Sequence, residues 1–210
     1  MIMLWLWIAL GVVIVGSLLG TFGYRLLSRT REVPCPSWLW WVLDGPFQRR
    51  RAARLLSRLR LSEGMRVLDA GCGPGRLSIP VARAVGASGS VLGVDLQRAM
   101  LRRAQRRAEQ AGLSNIRFLQ TGLGEGKLPA GAFDRAILVT VLGEIVDKDS
   151  ALREIHSALK PGGLLSVTEL LPDPHYQSMR AVRELGARTG FRVAETFGNA
   201  LSYTMHLERR

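Results

Sequence analysis

Glycines at alternate positions follow an acidic residue in the segment 67–75, which reads VLDAGCGPG. Gly71, Gly73 and Gly75 come directly after a predicted strand and open a predicted helix, where glycine allows a tight turn and a close approach of the backbone to a ligand. The dinucleotide fingerprint is G-x-G-x-x-G, which aims a helix N-terminus at a pyrophosphate. Here the spacing is G-x-G-x-G, and Asp69 stands two residues before the first glycine. A carboxylate at that place disfavours phosphates and favours a cationic ligand with a sulfonium and an ammonium group.

Asp95 lies twenty residues after Gly75 and ends a second predicted strand, in the segment VLGVDL. A carboxylate at the end of this strand can accept hydrogen bonds from both hydroxyl groups of a ribose. The alternative role is a cap for the helix that begins near Ala99. Together with the glycine segment, Asp95 predicts a nucleoside-type ligand at the carboxyl ends of two strands.

Side chains that can bind or release a proton follow the fourth and fifth predicted strands. The candidates for catalysis are Glu144, Glu169, His175 and Tyr176, and Asp173 shares the segment LPDPHY with the last two. Glu144 and Asp173 could instead be helix caps, and His175 and Tyr176 could be residues of a surface loop. Because ligands bind at the carboxyl ends of strands in such sheets, we expect these side chains near the ligand.

The elements that must position these residues alternate between strands and helices. Apolar segments predict strands over 66–70, 90–95, 116–120, 133–141 and 164–170. Helical patterns cover 77–85, 97–111, 150–159 and 176–189. A terminal hairpin is expected from 191–198 and 201–208. This order predicts an α/β fold with a seven-stranded, mostly parallel sheet and an antiparallel terminal strand.

Four segments together resemble class I S-adenosylmethionine-dependent methyltransferases: VLDAGCGPG, GVDL, FDRAILVTVL and LKPGGLLSVTE. The resemblance is greatest to the small-molecule methyltransferase type 11 subgroup, which includes quinone-ring C-methyltransferases, and it covers roughly residues 60–208. It implies a Rossmann-like fold and S-adenosylmethionine as the cofactor. By the same resemblance, Asp69 and the backbone of 71–75 would hold the methionine moiety, Asp95 would bind the ribose, and Leu96 would pack on the adenine.

The adenine side departs from the family's pattern. Members often carry an acid after the third strand that binds the adenine amino group, and the matching position here is Gly122, in the segment QTGLGEGKLP. The backbone at Gly122 and Leu123 could take its place, or Glu125 could reach the adenine. Cys72, inside the glycine segment, and Thr140, at the end of the fourth strand, complete the expected cofactor contacts.

Residues 2–22 carry no charge. As a helix they would be roughly 31 Å long, which matches the ~30 Å hydrocarbon core of a bilayer. They predict a single transmembrane anchor over 1–24, with a signal peptide or a buried core helix as alternatives. Arginines follow the span and none precedes it, which predicts a catalytic domain on the cytoplasmic side. Gly16 and Gly20 form a small-xxx-small pair through which two anchors could pack as a homodimer.

A basic connector with three tryptophans covers 25–60, before the methyltransferase-like domain at 61–210. It holds nine arginines against two acids, which is +7 of the chain's formal charge of +12. Its last part predicts an amphipathic helix with Leu55 and Leu59 in one apolar stripe. The charge favours contact with an anionic membrane surface, and the alternative is a helix that covers the core of the domain. A second arginine cluster over 98–107 keeps nucleic acid as a less favoured partner.

These features predict an S-adenosylmethionine-dependent methyltransferase that acts on a small or lipidic, membrane-associated acceptor. A phospholipid amine, a quinone-like ring and a hydrophobic thiol are all compatible acceptors. The alternatives are a non-catalytic S-adenosylmethionine-binding or scaffold protein at the membrane and a membrane-tethered RNA methyltransferase. The chain's two cysteines, Cys35 and Cys72, indicate neither a disulfide framework nor a metal site, and they disfavour arsenite-type chemistry.

Overall fold

The computed structural model describes Trp5, Trp7, residues 46–171 and residues 173–210. Apart from these two exposed, helical tryptophans, the predicted anchor over 1–24 lies outside the described residues, and so does the first half of the connector. The anchor's insertion, its orientation and dimerisation through its glycines therefore stay predictions. Of the helices within the described ranges, none is long and apolar enough to cross a bilayer.

From residue 46 onward, helices and strands alternate as the sequence predicts. The helices are α1 (Pro46–Arg58), α2 (Ser78–Val85), α3 (Arg98–Gln110), α4 (Lys148–Ala158) and α5 (Met179–Arg188). The strands are β1 (Arg66–Ala70), β2 (Ser90–Asp95), β3 (Ile116–Gln120), β4 (Phe133–Val139), β5 (Leu159–Leu170), β6 (Phe191–Asn199) and β7 (Ser202–Arg209). The bounds of β1, β2 and β3 equal the predicted ones because each is a short apolar run between turn residues.

The seven strands form one sheet in the order β3-β2-β1-β4-β5-β7-β6. β1 to β5 pair in parallel, and Val67 of β1 lies opposite Val91 of β2 and Arg135 of β4. β7 lies between β5 and β6 and is antiparallel to both. The predicted α/β fold with an antiparallel terminal strand is confirmed. The ends of β1, β2, β4 and β5 and the turn between β6 and β7 share one edge of the sheet, which we call the carboxyl edge.

Two helices begin two or three residues from the predicted start because of side-chain caps, whereas α2 and α3 each begin one residue late. α4 begins two residues early, since the Asp147 carboxylate accepts a hydrogen bond from the Ser150 backbone N–H at 3.0 Å. α5 begins three residues late, because Ser178 Oγ accepts one from the Ala181 backbone N–H at 3.2 Å. Such caps satisfy backbone donors that the first helical turn leaves unpaired.

The segment KPGG at 160–163 belongs to a strand, although we expected it only to end a helix. α4 ends at Ala158, within one residue of the prediction, and β5 already begins at Leu159. The pairing of β5 with β4 shifts register between Phe133 and Arg135, and this irregularity accommodates the extra residues.

Two hydrophobic clusters cover the two faces of the sheet. Val67 and Leu68 are neighbours in β1 but belong to different clusters, because successive side chains of a strand point to opposite faces. The Leu68 cluster includes Leu152 of α4 and Val182 of α5, and the Val67 cluster includes Val81 of α2. The sheet is therefore packed between layers of helices.

α1 packs against the methyltransferase-like domain. Leu55 and Leu59 are buried in the same cluster as Val67. The Arg135 Nε–H donates to the Leu59 carbonyl at 3.0 Å, and Arg60 forms an ion pair of 2.6 Å with Glu195 of β6. The interpretation of this helix as a cover for the core is confirmed, and its contact with lipid stays a prediction.

Candidate functional site

The glycine loop between β1 and α2 is held against the end of β2. The backbone N–H groups of Gly71 and Cys72 both donate to the Val94 carbonyl, at 2.7 and 2.9 Å. Gly71 has φ +74°, and a Cβ there would lie 2.4 Å from Cγ2 of Val141 in the segment after β4. Both the backbone angle and the close approach require glycine.

Asp95 joins the glycine loop to the start of α3. Its Oδ2 accepts a hydrogen bond from the Gly73 backbone N–H at 2.9 Å, and its Oδ1 accepts one from the Gln97 backbone N–H at 2.8 Å. Burial raises the pKa of Asp95 above its ordinary value, and these two hydrogen bonds oppose the rise. Gly73 has φ +52° with no heavy atom within 4 Å of the Cβ position. The loop thus leaves open space in front of the Asp95 carboxylate, which a nucleoside could fill.

A cavity of about 180 Å³ lies in front of this loop, and we call it the loop cavity. Eight of the ten residues predicted to contact the cofactor line it. They are Gly71, Cys72, Gly73, Asp95, Leu96, Gly122, Leu123 and Thr140.

The other two predicted cofactor residues, Asp69 and Gly75, lie behind the loop. Asp69 is buried and accepts a hydrogen bond of 2.5 Å from the Ser78 hydroxyl, and burial raises its pKa to about 6. A Cβ at Gly75 would lie 3.1 Å from the Ala104 Cβ, so this glycine lets α3 pack closely. Asp69 supports the helix that follows the loop rather than the cavity wall.

The charged residues of the loop cavity are mostly acidic, although the chain as a whole is basic. Asp95, Glu144 and Asp173 line it against one cation, Arg76. This excess of carboxylates suits a ligand with positive charge, as the position of Asp69 suggested from the sequence. Cys72 adds no thiolate, because burial raises the pKa of its thiol well above the ordinary value.

Glu125, which we expected could reach the adenine, lies beside Gly122 but is not among the residues that line the loop cavity. Its carboxylate accepts hydrogen bonds from the Gly122 backbone N–H at 3.0 Å and from the Thr121 hydroxyl at 2.9 Å. A hydrogen bond from Lys127 at 2.6 Å, together with the one from Thr121, lowers the pKa of Glu125, so the side chain stays ionised at neutral pH. The Glu125 carboxylate thus holds the backbone of the loop after β3, and the residues of this loop that line the cavity are Thr121, Gly122 and Leu123.

A second cavity of about 570 Å³ adjoins the first, and we call it the helix cavity because α1 forms one wall. Its other walls come from β5 and from the strands of the terminal hairpin. Four residues line both cavities, namely Arg76, Val139, Thr140 and Asp173. A group bound in one cavity can therefore meet a group bound in the other at this junction.

Thr140 has an unusual backbone at the junction. Its φ is +54°, which costs a residue with a Cβ roughly 1–2 kcal/mol. Its backbone N–H donates to the Thr168 carbonyl at 2.9 Å, and its hydroxyl donates to the Val139 carbonyl at 2.8 Å. Strained backbone that the surroundings hold in place is frequent at functional sites.

Of the four predicted catalytic residues, one lines a cavity. Glu144 lines the loop cavity, whereas Glu169, His175 and Tyr176 are not among the residues that line either cavity. The Tyr176 hydroxyl donates to the Ala200 carbonyl at 2.6 Å and braces the hairpin turn.

Glu169 and His175 support the loop that carries Asp173. Glu169 Oε2 accepts a hydrogen bond from the Gln177 backbone N–H at 3.1 Å, and the His175 backbone N–H donates to Asp173 Oδ1 at 2.7 Å. The loop packs so tightly that a Cβ at Gly143 would collide with the His175 carbonyl. Asp173 is thereby fixed at the junction.

Sequence reasoning missed the part of Arg76 and of α1 in this site. Arg76 follows the glycine loop directly, and this position in the sequence could have indicated that it lies beside the ligand. Arg54 and Arg58 line the helix cavity together with Leu55. Their distance along the chain from the other lining residues left no signal in the sequence.

Residues 61–193 match the model of a protein family described as a methyltransferase domain. The arsenite methyltransferase of Aquipseudomonas alcaligenes is 37% identical over 159 residues, which cover 71% of this chain and 44% of that protein. The ubiquinone/menaquinone biosynthesis C-methyltransferase UbiE of Shewanella oneidensis is 32% identical over 140 residues, or 66% of this chain and 54% of that protein. The chain thus spans about half the length of the curated relatives it matches.

Among solved structures, a SAM-dependent methyltransferase from Aquifex aeolicus superposes with a TM-score of 0.77. The two sequences are 22% identical, and the match covers 83% of this chain and 99% of that one. At this identity the likeness concerns the fold alone.

Proposed function

The chain belongs to the methyltransferase-domain family, and we propose that it transfers a methyl group from S-adenosylmethionine to a small or lipidic acceptor bound in the helix cavity. One observation carries the proposal. Two adjoining cavities of opposite charge meet at Thr140 and Asp173, one acidic and next to the glycine loop, the other basic and next to α1.

The residues of the loop cavity fit S-adenosylmethionine, which supplies a methyl group on a cationic sulfonium. Each oxygen of the Asp95 carboxylate accepts one backbone hydrogen bond and can accept another. These remaining acceptor positions bind the ribose hydroxyls. Leu96, an exposed apolar side chain on the cavity wall, covers the adenine. The glycine loop holds the methionine part, and the excess of carboxylates stabilises positive charge there.

Residues at the junction align the acceptor and keep water away from it. Asp173 is the general base in this proposal, because it lines both cavities and its loop is fixed by Glu169 and His175. It accepts the proton that a phenol or an amine loses on methylation. Glu144, on the wall of the loop cavity, contributes negative charge beside it.

The helix cavity suggests an acceptor with an apolar part and an anionic part. Leu55, Leu77 and Leu170 supply apolar wall, and three arginines face one carboxylate. A phosphate-bearing lipid or a phenolic, quinone-like ring meets these arginines better than a neutral thiol does. The relative named for ubiquinone and menaquinone biosynthesis supports the quinone-like class, and the predicted anchor supports an acceptor that partitions into the cytoplasmic leaflet.

A methyl-labelling experiment on the full chain tests the proposal. The enzyme receives S-adenosylmethionine with a tritiated methyl group and a native lipid extract, and the label is followed into organic and aqueous fractions. We expect label in the organic fraction, and a loss of roughly 100-fold in rate for Asp173→Asn with unchanged cofactor affinity. Label confined to the aqueous fraction would count against a lipidic acceptor, and label in added RNA would favour an RNA substrate.

Calorimetry with S-adenosylmethionine tests the cofactor site separately. Asp95→Ala should weaken binding by about 2–3 kcal/mol through the lost ribose hydrogen bonds to a charged group. Asp149→Ala is the matched control, because that aspartate pairs with Arg188 on the surface, away from both cavities. A wild-type protein that does not bind S-adenosylmethionine would contradict the enzymatic function.

A further inference from the structure

Exposed apolar side chains are concentrated at one edge of the sheet. Among the side chains described from residue 52 onward, four large hydrophobic ones are exposed: Leu96 (39%), Val146 (46%), Leu171 (48%) and Leu201 (59%). All four follow strands at the carboxyl edge or lie in the turn between β6 and β7. Leu96 lines the loop cavity and is assigned to the adenine, so the other three side chains are the ones that indicate a contact surface at this edge.

Leu171 and Leu201 form a fixed pair, which we call the leucine rim. The Leu171 backbone N–H donates to the Leu201 carbonyl at 2.8 Å, so the loop after β5 is joined to the hairpin turn. The Tyr176 hydroxyl bonds to Ala200 in the same turn, as described above. The structure thus holds two leucines in an ordered arrangement that faces solvent.

The leucine rim borders the helix cavity. Leu170 lines that cavity and directly precedes Leu171, and Asn199 and Ser202 line it on the two sides of the turn that carries Leu201. A surface that contacts the leucine rim therefore also lies over the entrance to the proposed acceptor cavity.

The charge beside the leucine rim is mostly positive, because three arginines line the helix cavity against one carboxylate, Asp173. Arg54, which is exposed, and Arg58 line the same cavity from α1. Arg58 is held 4.9 Å above the Phe197 ring and donates to the Thr204 hydroxyl at 3.3 Å. The sector around Val146 differs, because the exposed Asp147 follows it and would repel an anionic partner.

We propose that the leucine rim, with Arg54 and Arg58 beside it, docks on the surface of an anionic lipid bilayer. The leucines enter the interface and the arginines meet the lipid phosphates, so that the helix cavity opens toward the membrane and takes its acceptor from there. The role given to the cavity rests on the proposed function, whereas the docking surface itself does not. It is also a contact separate from the predicted anchor over 1–24, since its leucines lie on the methyltransferase-like domain and its arginines lie on α1.

Site-specific fluorescence in the full chain tests this surface. Cys35→Ser removes one native thiol, and Cys72 is buried. In that background Leu201→Cys carries a polarity-sensitive fluorophore, and Ser88→Cys is the control, an exposed site before β2 at the opposite edge of the sheet. An anchor alone tethers both positions to the vesicle, but only docking brings position 201 into the lipid.

With vesicles of phosphatidylcholine and phosphatidylglycerol, we expect a blue shift and quenching by a lipid-attached quencher at position 201 and neither at position 88. Arg54→Gln together with Arg58→Gln, or vesicles of phosphatidylcholine alone, should weaken both signals. Water-like emission at position 201, or equal quenching at both positions, would overturn the proposal. A shift that appears without vesicles and grows with protein concentration would assign the rim to a second copy of the chain instead. Cofactor titration of the same samples reports independently on the proposed function.

Discussion

Glu169 and Asp173 are carboxyl groups of one loop region with different surroundings. Asp173 lines both cavities, whereas Glu169 is buried behind it, and its Oε1 has no hydrogen-bond partner among the described residues. Burial raises the pKa of Glu169 to about 8, and the nearby charges of Asp173 and Glu144 add to the rise. Glu169 is therefore mostly protonated at neutral pH.

This difference predicts how stability depends on pH. From pH 4.5 up to about 8, folded Glu169 keeps a proton that the unfolded chain releases, so it lowers the free energy of unfolding progressively as pH rises. Glu169→Gln removes this effect, which amounts to roughly 3–5 kcal/mol across the window. Melting temperatures measured from pH 5 to 9 should show a flatter dependence for this variant than for the wild type.

Glu184→Gln is the control for that comparison, because Glu184 is exposed and pairs with Arg180 on the same helix. It should leave the pH dependence of the wild type unchanged. Parallel curves for wild type and Glu169→Gln would show that Glu169 ionises in the folded protein like an exposed carboxyl group.

The glycine loop is the element whose backbone the sequence specifies most tightly. Gly71→Ala would force a Cβ to 2.4 Å from Val141 and keep a left-handed backbone angle, so the loop must shift away from Asp95. We expect a loss of about 2–4 kcal/mol in the free energy of unfolding, from overpacking together with backbone strain, and no measurable binding of S-adenosylmethionine. Chemical denaturation and calorimetry measure the two effects.

Gly162→Ala is the matched control for the loop. Gly162 has φ +75°, nearly the same angle as Gly71, but no heavy atom lies within 4 Å of its Cβ position. It should cost only about 1–2 kcal/mol for the backbone angle and leave cofactor binding intact. If both variants behave alike, the contact with Val141 does not determine the shape of the loop.

At the scale of the whole molecule, α1 connects the catalytic domain with the segments that precede it. Leu59, the residue directly after α1, is 1% exposed in the same hydrophobic cluster as Val67, and α1 also forms a wall of the helix cavity. Leu59→Ala should lower the free energy of unfolding by about 2–5 kcal/mol, the usual cost of removing a buried leucine side chain. Leu56→Ala, at a partly buried site in the last turn of α1, should cost clearly less. Equal losses in denaturation would mean that α1 is only loosely attached to the domain.

Much of the fold was predictable because its signals are local. The bounds of β1, β2 and β3 and the terminal hairpin follow from short apolar runs between turn residues. The insertion of β7 between β5 and β6 was not predictable, because a hairpin pattern does not specify which of its strands pairs with the rest of the sheet. The start of β5 at Leu159 was not predicted either, because proline and glycine argue against a strand at 160–163. The register shift against β4 is what allows the strand to include them.

The two cavities also differ in how far the sequence alone predicts them. The sequence by itself determined the loop cavity, because the tight turn after β1 and the end of β2 require particular residues locally. Gly71, Gly73 and Asp95 meet these local requirements, and their spacing is visible in the sequence. Only the tertiary structure decided the helix cavity and the position of Asp173 at the junction of the two cavities. It also decided that Asp69 lies behind the glycine loop, bonded to Ser78, and does not line the loop cavity. The walls of the helix cavity come from α1, β5 and the terminal hairpin, which are far apart in the chain. Such long-range packing leaves no periodic or spaced pattern in the sequence.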